Sequence, residues 1–225
     1  VLIEEALAAV QAIGQLAGRQ PFYLIGVSMG GNFALRLALR HTAQPIPNLR
    51  KVIASNPVMD PGLSTDNVDR NLGFRRYFRD RWLNSLLYKQ ACYPDLYQFD
   101  DLRGLPTIRA MTDRLIQHYG PRLGTFRTAD EYFAAYAVTP AMLEDLSMTT
   151  EIISALDDPI IGSAVFQQVH HHDRLQVQLH STGGHVGYVS LFPLQHHLPA
   201  LVLRSLDADP ASRPTHPGPF PPITA

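Results

Sequence analysis

The sequence predicts an α/β protein, a mainly parallel sheet flanked by helices with a helical insertion in the middle of the chain. Near both ends of the chain, short apolar runs alternate with helical patterns, which is typical of parallel strands covered on both faces. Between about residues 60 and 146 the alternation stops, and arginine and aromatic residues accumulate instead. The 225 residues are enough for one sizeable domain with its own core.

The first part of the chain contains two helix patterns and two strand patterns. Apolar residues recur at intervals of three and four over 3–17, which predicts an amphipathic helix. Nearly unbroken apolar runs at 22–27 and 51–56 predict buried strands. The segment 32–41 between them predicts a helix that follows a sharp turn at 28–31.

After the insertion, the alternation of strands and helices returns. We predict strands over 151–156 and 175–180, and helices over 162–169 and 198–206. Within the insertion, Thr128 followed by Asp130 and Glu131 predicts a capped helix start. The tail 207–225 is rich in proline, and we expect it to be disordered or extended.

Composition and charge exclude several classes of function. Charged residues make up 17% of the chain and the formal net charge is −1, so no basic excess favours binding to nucleic acid. There is no run of 18 apolar residues, so we expect no transmembrane helix. The single cysteine, Cys92, cannot form an internal disulfide, and we expect a cytoplasmic protein that does not depend on an oxidising compartment.

The segment Gly26-Val27-Ser28-Met29-Gly30 matches the pattern G-x-S-x-G, in which a serine stands on a tight turn between a strand and a helix. The turn strains the serine backbone and lifts its hydroxyl away from the sheet. We expect glycine to be required at both 26 and 30 because side chains there would collide. The helix that follows directs N–H groups at the site, so the Met29 N–H is a candidate oxyanion donor.

A serine hydroxyl needs a base within hydrogen-bond distance to become a nucleophile. Among ten histidines, His185 is the candidate, because it lies in a glycine-rich loop directly after the last predicted strand. The run His170, His171 and His172 is interpreted as a solvated turn, since no cysteine or carboxylate pattern accompanies it for metal binding. We interpret His196 and His197 as surface residues at a helix start.

The third group should orient the imidazole and stabilise its protonated form. Asp157 and Asp158 both follow the strand that precedes the strand of His185. Only one of them can occupy this position, and their placement alone leaves the choice open.

Taken together, these motifs resemble the α/β-hydrolase superfamily, and in particular its branch of medium-chain acyl esterases, acyltransferases and abhydrolase-domain lipases. The chain order serine, aspartate, histidine is that of α/β-hydrolases. The matching stretches cover nearly all of residues 1–206. They are Gly26-Val27-Ser28-Met29-Gly30-Gly31-Asn32, Ser55-Asn56-Pro57, Arg75-Arg76-Tyr77-Phe78, Thr125-Phe126-Arg127-Thr128-Ala129-Asp130-Glu131-Tyr132, Leu156-Asp157-Asp158-Pro159 and Gly183-Gly184-His185-Val186-Gly187-Tyr188.

The resemblance implies a serine hydrolase that cleaves or transfers short-to-medium acyl chains of a small-molecule ester, without a metal or organic cofactor. Asp158 is implied as the acid, because Asp158-Pro159-Ile160-Ile161 resembles the family's D-x-[IV]-[VI] stretch, and Asp157 is the alternative. The insertion would form a cap whose aromatic residues line an acyl channel. They are Phe74, Tyr77, Phe78, Trp82 and Tyr132. We interpret the cap arginines as a solvated helix face. They are Arg75, Arg76, Arg79 and Arg81.

The family's sheet has further strands before the first helix of this sequence, and their loop supplies the second oxyanion N–H. We therefore expect residues 1–206 to be a catalytic domain without those N-terminal strands, and the strand at 22–27 to be an exposed edge. The alternative is an inactive hydrolase-like module that binds a lipid or protein partner through its aromatic insertion.

Overall fold

A computed structural model describes residues 2–123 and 126–207, and the side chains of all of these except residues 121–123. The predicted proline-rich tail lies outside the described residues except for Asp207. The helices of the described part are α1 Ile3–Leu16, α2 Met29–Arg40, α3 Pro61–Arg70, α4 Leu72–Cys92, α5 Ile108–Leu123, α6 Ala129–Ala134, α7 Pro140–Leu143 and α8 Leu198–Asp207. The strands are β1 Phe22–Val27, β2 Leu49–Ser55, β3 Thr150–Ala155, β4 Leu175–His180, β5 Val189–Leu191 and β6 Leu194–His196.

The predicted α/β fold is confirmed: β1 to β4 form one parallel sheet in chain order. The register pairs Ala54 of β2 with Gly26 of β1 and with Ile152 of β3. Because all four strands run in the same direction, their carboxyl ends lie along one edge of the sheet. Residues that directly follow these strands are therefore close together, although they are far apart in the chain.

Helices cover both faces of the sheet, which explains the continuous apolar runs. Val52, Ala54 and Ile152 on one face pack with residues of α1 and α2. Ile53 and Ile153 on the other face belong to a second buried cluster that includes α8. Complete burial of one of these valine or isoleucine side chains stabilises the fold by about 1.5–3 kcal/mol.

Helix α8 is also held to the sheet by a buried polar network. Lys51 of β2 and Glu151 of β3 form an ion pair of 2.5 Å with side chains that are 7% and 3% exposed. The Lys51 ammonium donates to the Ser205 carbonyl at 2.8 Å, and the Ser205 hydroxyl donates to Glu151. Each charge thus has its partner inside the protein, as burial requires.

The insertion is helical, as predicted, and consists of α3 to α7 together with a 3₁₀ turn at Asp100–Gly104. Many of its aromatic residues pack in two clusters of their own, around Met111 and around Phe133. Arg109 holds three helices together through ion pairs of 2.6 Å with Asp66 and 2.5 Å with Asp130. The predicted N-cap of α6 is present, because the Thr128 hydroxyl accepts a hydrogen bond from the Glu131 N–H at 3.2 Å.

Strand β1 lies at one edge of the sheet, with Ile25 and Val27 44% and 41% exposed. This agrees with the exposed edge expected from the sequence.

None of the described helices is long and apolar enough to cross a membrane.

Two local predictions are corrected by the structure. The helix predicted over 162–169 is present as a 3₁₀ helix at Ser163–Gln168 and not as an α-helix. His196 lies in β6 of a short antiparallel hairpin that the sequence did not indicate. The sequence pattern does not predict this hairpin because its strands have three residues each and no buried face.

Candidate active site

Four polar residues follow the four strands of the parallel sheet, one at each carboxyl end. Ser28 follows β1, Asn56 follows β2, Asp158 comes shortly after β3, and His185 lies in the loop after β4. The carboxyl edge of an open α/β sheet is the usual place for a binding site. The structure therefore brings together residues that are up to 157 positions apart.

Ser28 has the strained backbone that its motif predicts, with φ 56° and ψ −119°. This left-handed region is uncommon for residues other than glycine, and a strained serine indicates a position held by its surroundings. The Ser28 N–H donates to the Ser55 carbonyl at 2.9 Å, and the Val58 N–H donates to the Ser28 carbonyl at 3.2 Å. These bonds hold the turn against β2 and the segment that leaves it.

Only one of the two motif glycines is sterically required, which corrects the expectation for Gly30. A Cβ atom on Gly26 would lie 2.2 Å from the Gly30 carbonyl oxygen, whereas one on Gly30 would meet nothing within 4 Å. The third glycine, Gly31, is also enclosed, because its Cβ would lie 2.9 Å from Pro57 Cα. The first turn of α2 is thus crowded against the end of β1 and against Pro57, whereas a side chain on Gly30 itself would point into open space.

His185 joins Ser28 and Asp158 in one hydrogen-bonded chain. Its Nε2 atom lies 2.8 Å from Ser28 Oγ, and its Nδ1 atom lies 3.0 Å from Asp158 Oδ2. With the ring proton on Nδ1, the imidazole donates to the carboxylate and accepts from the hydroxyl. This is the arrangement that lets an imidazole remove a serine proton while a carboxylate stabilises the resulting positive charge.

Asp158 is held as an ionised acceptor. Its side chain is completely buried, and Oδ1 accepts the N–H groups of Ile160 and Ile161 at 2.8 and 2.9 Å. Burial alone would raise the pKa of this carboxyl. The hydrogen bonds from His185, Ile161 and Ile160 outweigh it, and the pKa lies below its ordinary value. The charged form, which can stabilise an imidazolium, is therefore favoured.

Asp157, the alternative acid, has a different position. Its Oδ1 atom accepts the N–H groups of Gly183 and Gly184 at 2.9 and 2.8 Å. It therefore ties down the loop that carries His185, while the His185 ring is hydrogen-bonded to Asp158.

Two residues of this site had no role predicted from the sequence. Asn56 is fully buried and donates to Asp158 Oδ2 at 2.8 Å, and the Tyr188 hydroxyl donates to Asn56 Oδ1 at 2.9 Å. Asn56 follows the end of its strand, just as Ser28 and Asp158 follow the ends of theirs. This position at a strand end was the one feature of the sequence that could have indicated a role for Asn56. Its partners, however, lie more than 100 residues away.

Met29 begins α2, so its N–H is among the first-turn donors that have no acceptor within a helix. It directly follows Ser28, at the positive end of the helix dipole. Its role as an oxyanion donor stays a prediction.

The histidines of the 170–172 run and of the hairpin have partners other than Ser28, Asp158 and His185. His170 is exposed and 3.0 Å from Glu144, and His172 hydrogen-bonds to the Leu143 carbonyl. His197 contacts the Ser190 hydroxyl at 2.9 Å. Among the described residues, no group of three or more histidine, cysteine, aspartate or glutamate side chains could hold a metal ion.

The cap residues expected to line a channel have different environments. Trp82 and Tyr132 pack within the two aromatic clusters of the insertion. Phe74 packs against the core between the sheet and the helices α1 and α2. Tyr77 and Phe78 are exposed at 54% and 37%. The solvated-face interpretation fails for Arg79, which donates to the Leu105 and Arg103 carbonyls and so joins α4 to the following segment.

Comparisons with known proteins agree with this architecture. The family model described as "alpha/beta hydrolase fold" matches residues 3–188. A search of the curated proteins gave no match. Among solved structures, a variant of the meta-cleavage product hydrolase CumD is similar with a TM-score of 0.52 and 16% identity, over 92% of this chain and 72% of that one.

Two further structures are more distant. CumD from Pseudomonas fluorescens IP01, in complex with acetates, gives a TM-score of 0.49 at 16% identity, covering 92% of this chain and 72% of that chain. Paleococcus ferrophilus monoacylglycerol lipase gives 0.42 at 14% identity, covering 83% and 68%. At 16% identity, the likeness to the CumD variant with a TM-score of 0.52 concerns the fold alone, whereas the family model spans more than half of the sequence. The chain belongs to the α/β-hydrolase fold family.

Proposed function

We propose that this protein is a serine hydrolase that cleaves carboxylic esters through an acyl-enzyme. The observation that supports this most directly is the continuous chain from Ser28 Oγ to His185 Nε2 at 2.8 Å and from His185 Nδ1 to Asp158 Oδ2 at 3.0 Å. Three residue types with complementary roles, in hydrogen-bond contact and at one sheet edge, are what nucleophilic acyl transfer needs.

In the first half of the proposed reaction, Ser28 Oγ attacks the ester carbonyl while its proton passes to His185 Nε2. Asp158 stabilises the imidazolium, and the Met29 N–H donates to the oxyanion. The imidazolium then protonates the leaving alcohol as the C–O bond breaks, which leaves an acyl group on Ser28.

In the second half, His185 accepts a proton from water, the resulting hydroxide attacks the acyl carbonyl, and the carboxylic acid leaves as Ser28 regains its proton. An alcohol in place of water would give acyl transfer instead of hydrolysis. Groups of this chain supply every proton transfer. For the substrate we propose a small-molecule ester with a short-to-medium acyl chain.

A fluorophosphonate probe tests the proposal, because it reacts covalently only with an activated serine. We expect labelling of the protein at the peptide that contains Ser28, located by mass spectrometry, and no labelling of Ser28→Ala. The matched control is Ser190→Ala, since Ser190 also contacts a histidine, His197, at 2.9 Å but lies outside the site. Label on another serine would reject Ser28 as the nucleophile, and no label on folded protein would favour a binding module.

A further inference from the structure

Asn56 occupies an unusual position for a core residue. It is 0% exposed and directly follows β2, and its φ of 44° lies in the left-handed region. Asparagine enters this region more readily than most residues. Its backbone N–H donates to the Ile153 carbonyl at 2.7 Å, so the side chain is projected from a fixed point between β2 and β3.

The Asn56 side chain contacts three parts of the site. Its Nδ2 group donates to Asp158 Oδ2 at 2.8 Å and to the Gly184 carbonyl at 3.2 Å. Both partners can only accept, which fixes the orientation of the amide. Its Oδ1 atom accepts the Tyr188 hydroxyl at 2.9 Å.

These contacts leave the Asp158 carboxylate little freedom to rotate. Its Oδ2 atom accepts from both His185 Nδ1 and Asn56 Nδ2, while Oδ1 accepts two backbone N–H groups. Gly184, whose carbonyl also accepts from Asn56, directly precedes His185. One amide therefore holds both the acid and the loop that carries the base.

We propose that Asn56, oriented by Tyr188, is a positioning residue that holds Asp158 and His185 in reactive alignment with Ser28. The proposal rests on the proposed function for its kinetic consequences. Burial raises the pKa of Tyr188 to about 12, so its hydroxyl remains a donor at neutral pH. The chain Tyr188–Asn56–Asp158–His185–Ser28 is then a single network in which each residue fixes the next.

Asn32 provides a matched control for a merely structural role. It is also an asparagine with 0% exposure, and its Nδ2 group also donates twice, at 2.8 Å to both the Val58 and Tyr136 carbonyls. Those bonds join α2 to the segment that follows β2 and to the insertion, and neither involves Asp158 or His185. Both asparagines should support stability, but only Asn56 should act on the imidazole.

The test compares Asn56→Gly with Asn32→Ala. Glycine accepts the positive φ at position 56, so the first variant removes the side chain without backbone strain. We expect kcat on a p-nitrophenyl ester to fall by about 10- to 100-fold, the range for losing a hydrogen bond to a charged group, with KM unchanged. Asn32→Ala should lower the melting temperature and leave kcat within about threefold of wild type.

A second readout needs no turnover. The Nδ1 proton of His185 in the NMR spectrum reports its hydrogen bond to Asp158, and it should shift or broaden in Asn56→Gly but not in Asn32→Ala. Tyr188→Phe, a milder change that removes one hydroxyl, should shift the same resonance and lower kcat severalfold. Adding it to Asn56→Gly should cause little further loss, because both act through one network.

An unchanged His185 resonance in Asn56→Gly, or equal losses of kcat in both asparagine variants, would overturn the proposal. If Asn56→Gly does not fold, Tyr188→Phe decides, and an unchanged resonance and kcat would overturn it. Failure of the proposed function is distinguishable, because Ser28 of the wild type would then not react with fluorophosphonate. The His185 resonance would still show whether Asn56 positions the pair.

Discussion

Gly26 and Gly30 stand symmetrically about Ser28 in the motif, but only Gly26 is enclosed. A methyl group on Gly26 would lie 2.2 Å from a backbone oxygen, which cannot move without shifting α2. A methyl group on Gly30 would point into open space from the first turn of a helix. At the scale of single residues, close backbone approach decides which glycine is needed, not the motif position.

Gly26→Ala should therefore be destabilising, and Gly30→Ala should not. We expect the first to lower the free energy of unfolding by about 1–3 kcal/mol, as overpacking does. The second should raise it by up to about 1 kcal/mol, because alanine favours helix more than glycine does. Urea unfolding curves of the two variants measure the difference. Similar destabilisation by both would show that the space around Gly30 is not open.

The two neighbouring aspartates should also differ. Asp158→Asn removes the charge that stabilises the imidazolium, and we expect a loss of turnover of up to about 10⁴-fold. Asp157→Asn should cost less than about tenfold, since the asparagine oxygen can still accept the N–H groups of Gly183 and Gly184. Steady-state kinetics on a p-nitrophenyl ester check this ranking. The reverse ranking would transfer the role of the acid to Asp157.

At the scale of secondary-structure elements, α8 depends on a buried ion pair as well as on apolar packing. Lys51→Met leaves Glu151 buried without its cation, and we expect it to lower the free energy of unfolding by about 3–5 kcal/mol. Arg40→Met is the control: it breaks the Arg40–Glu4 pair, whose side chains are 43% and 61% exposed, and should cost at most about 1 kcal/mol. Chemical denaturation compares the two variants. Equal losses of unfolding free energy in the two variants would mean that burial of the Lys51–Glu151 pair does not make the loss of one partner more destabilising.

The helical insertion should determine the acyl selectivity of the proposed esterase. It leaves the sheet after Asn56, at the edge where Ser28 lies, and a cap there can bury an acyl chain at about 0.8 kcal/mol per methylene. We expect kcat/KM for p-nitrophenyl esters from acetate to palmitate to rise severalfold per two carbons to an optimum at short-to-medium length. A flat profile, or a decline from acetate onward, would reject an acyl channel and favour small polar esters.

At the scale of the whole molecule, four parallel strands bring Ser28, Asn56, Asp158 and His185 to one edge. The sequence predicted the sheet, the helices that flank it and the placement of the serine, because each depends on local patterns of apolar residues and glycine. It could not show the role of Asn56, since that role depends on contacts with Asp158, Gly184 and Tyr188 across the fold. Local pattern likewise did not reveal that Arg79 holds a turn of the insertion.

The central claim, that Ser28 and His185 act together as nucleophile and base, is tested most directly by ester turnover in two single variants and their double. Ser28→Ala and His185→Ala should each reduce kcat on a p-nitrophenyl ester to a similarly low residual value. The double variant should lose little more, because the effects of mutating residues that act as a unit do not add. Circular dichroism confirms that the variants are folded. More than a few per cent of wild-type turnover in folded Ser28→Ala, or losses that multiply in the double variant, would contradict this account.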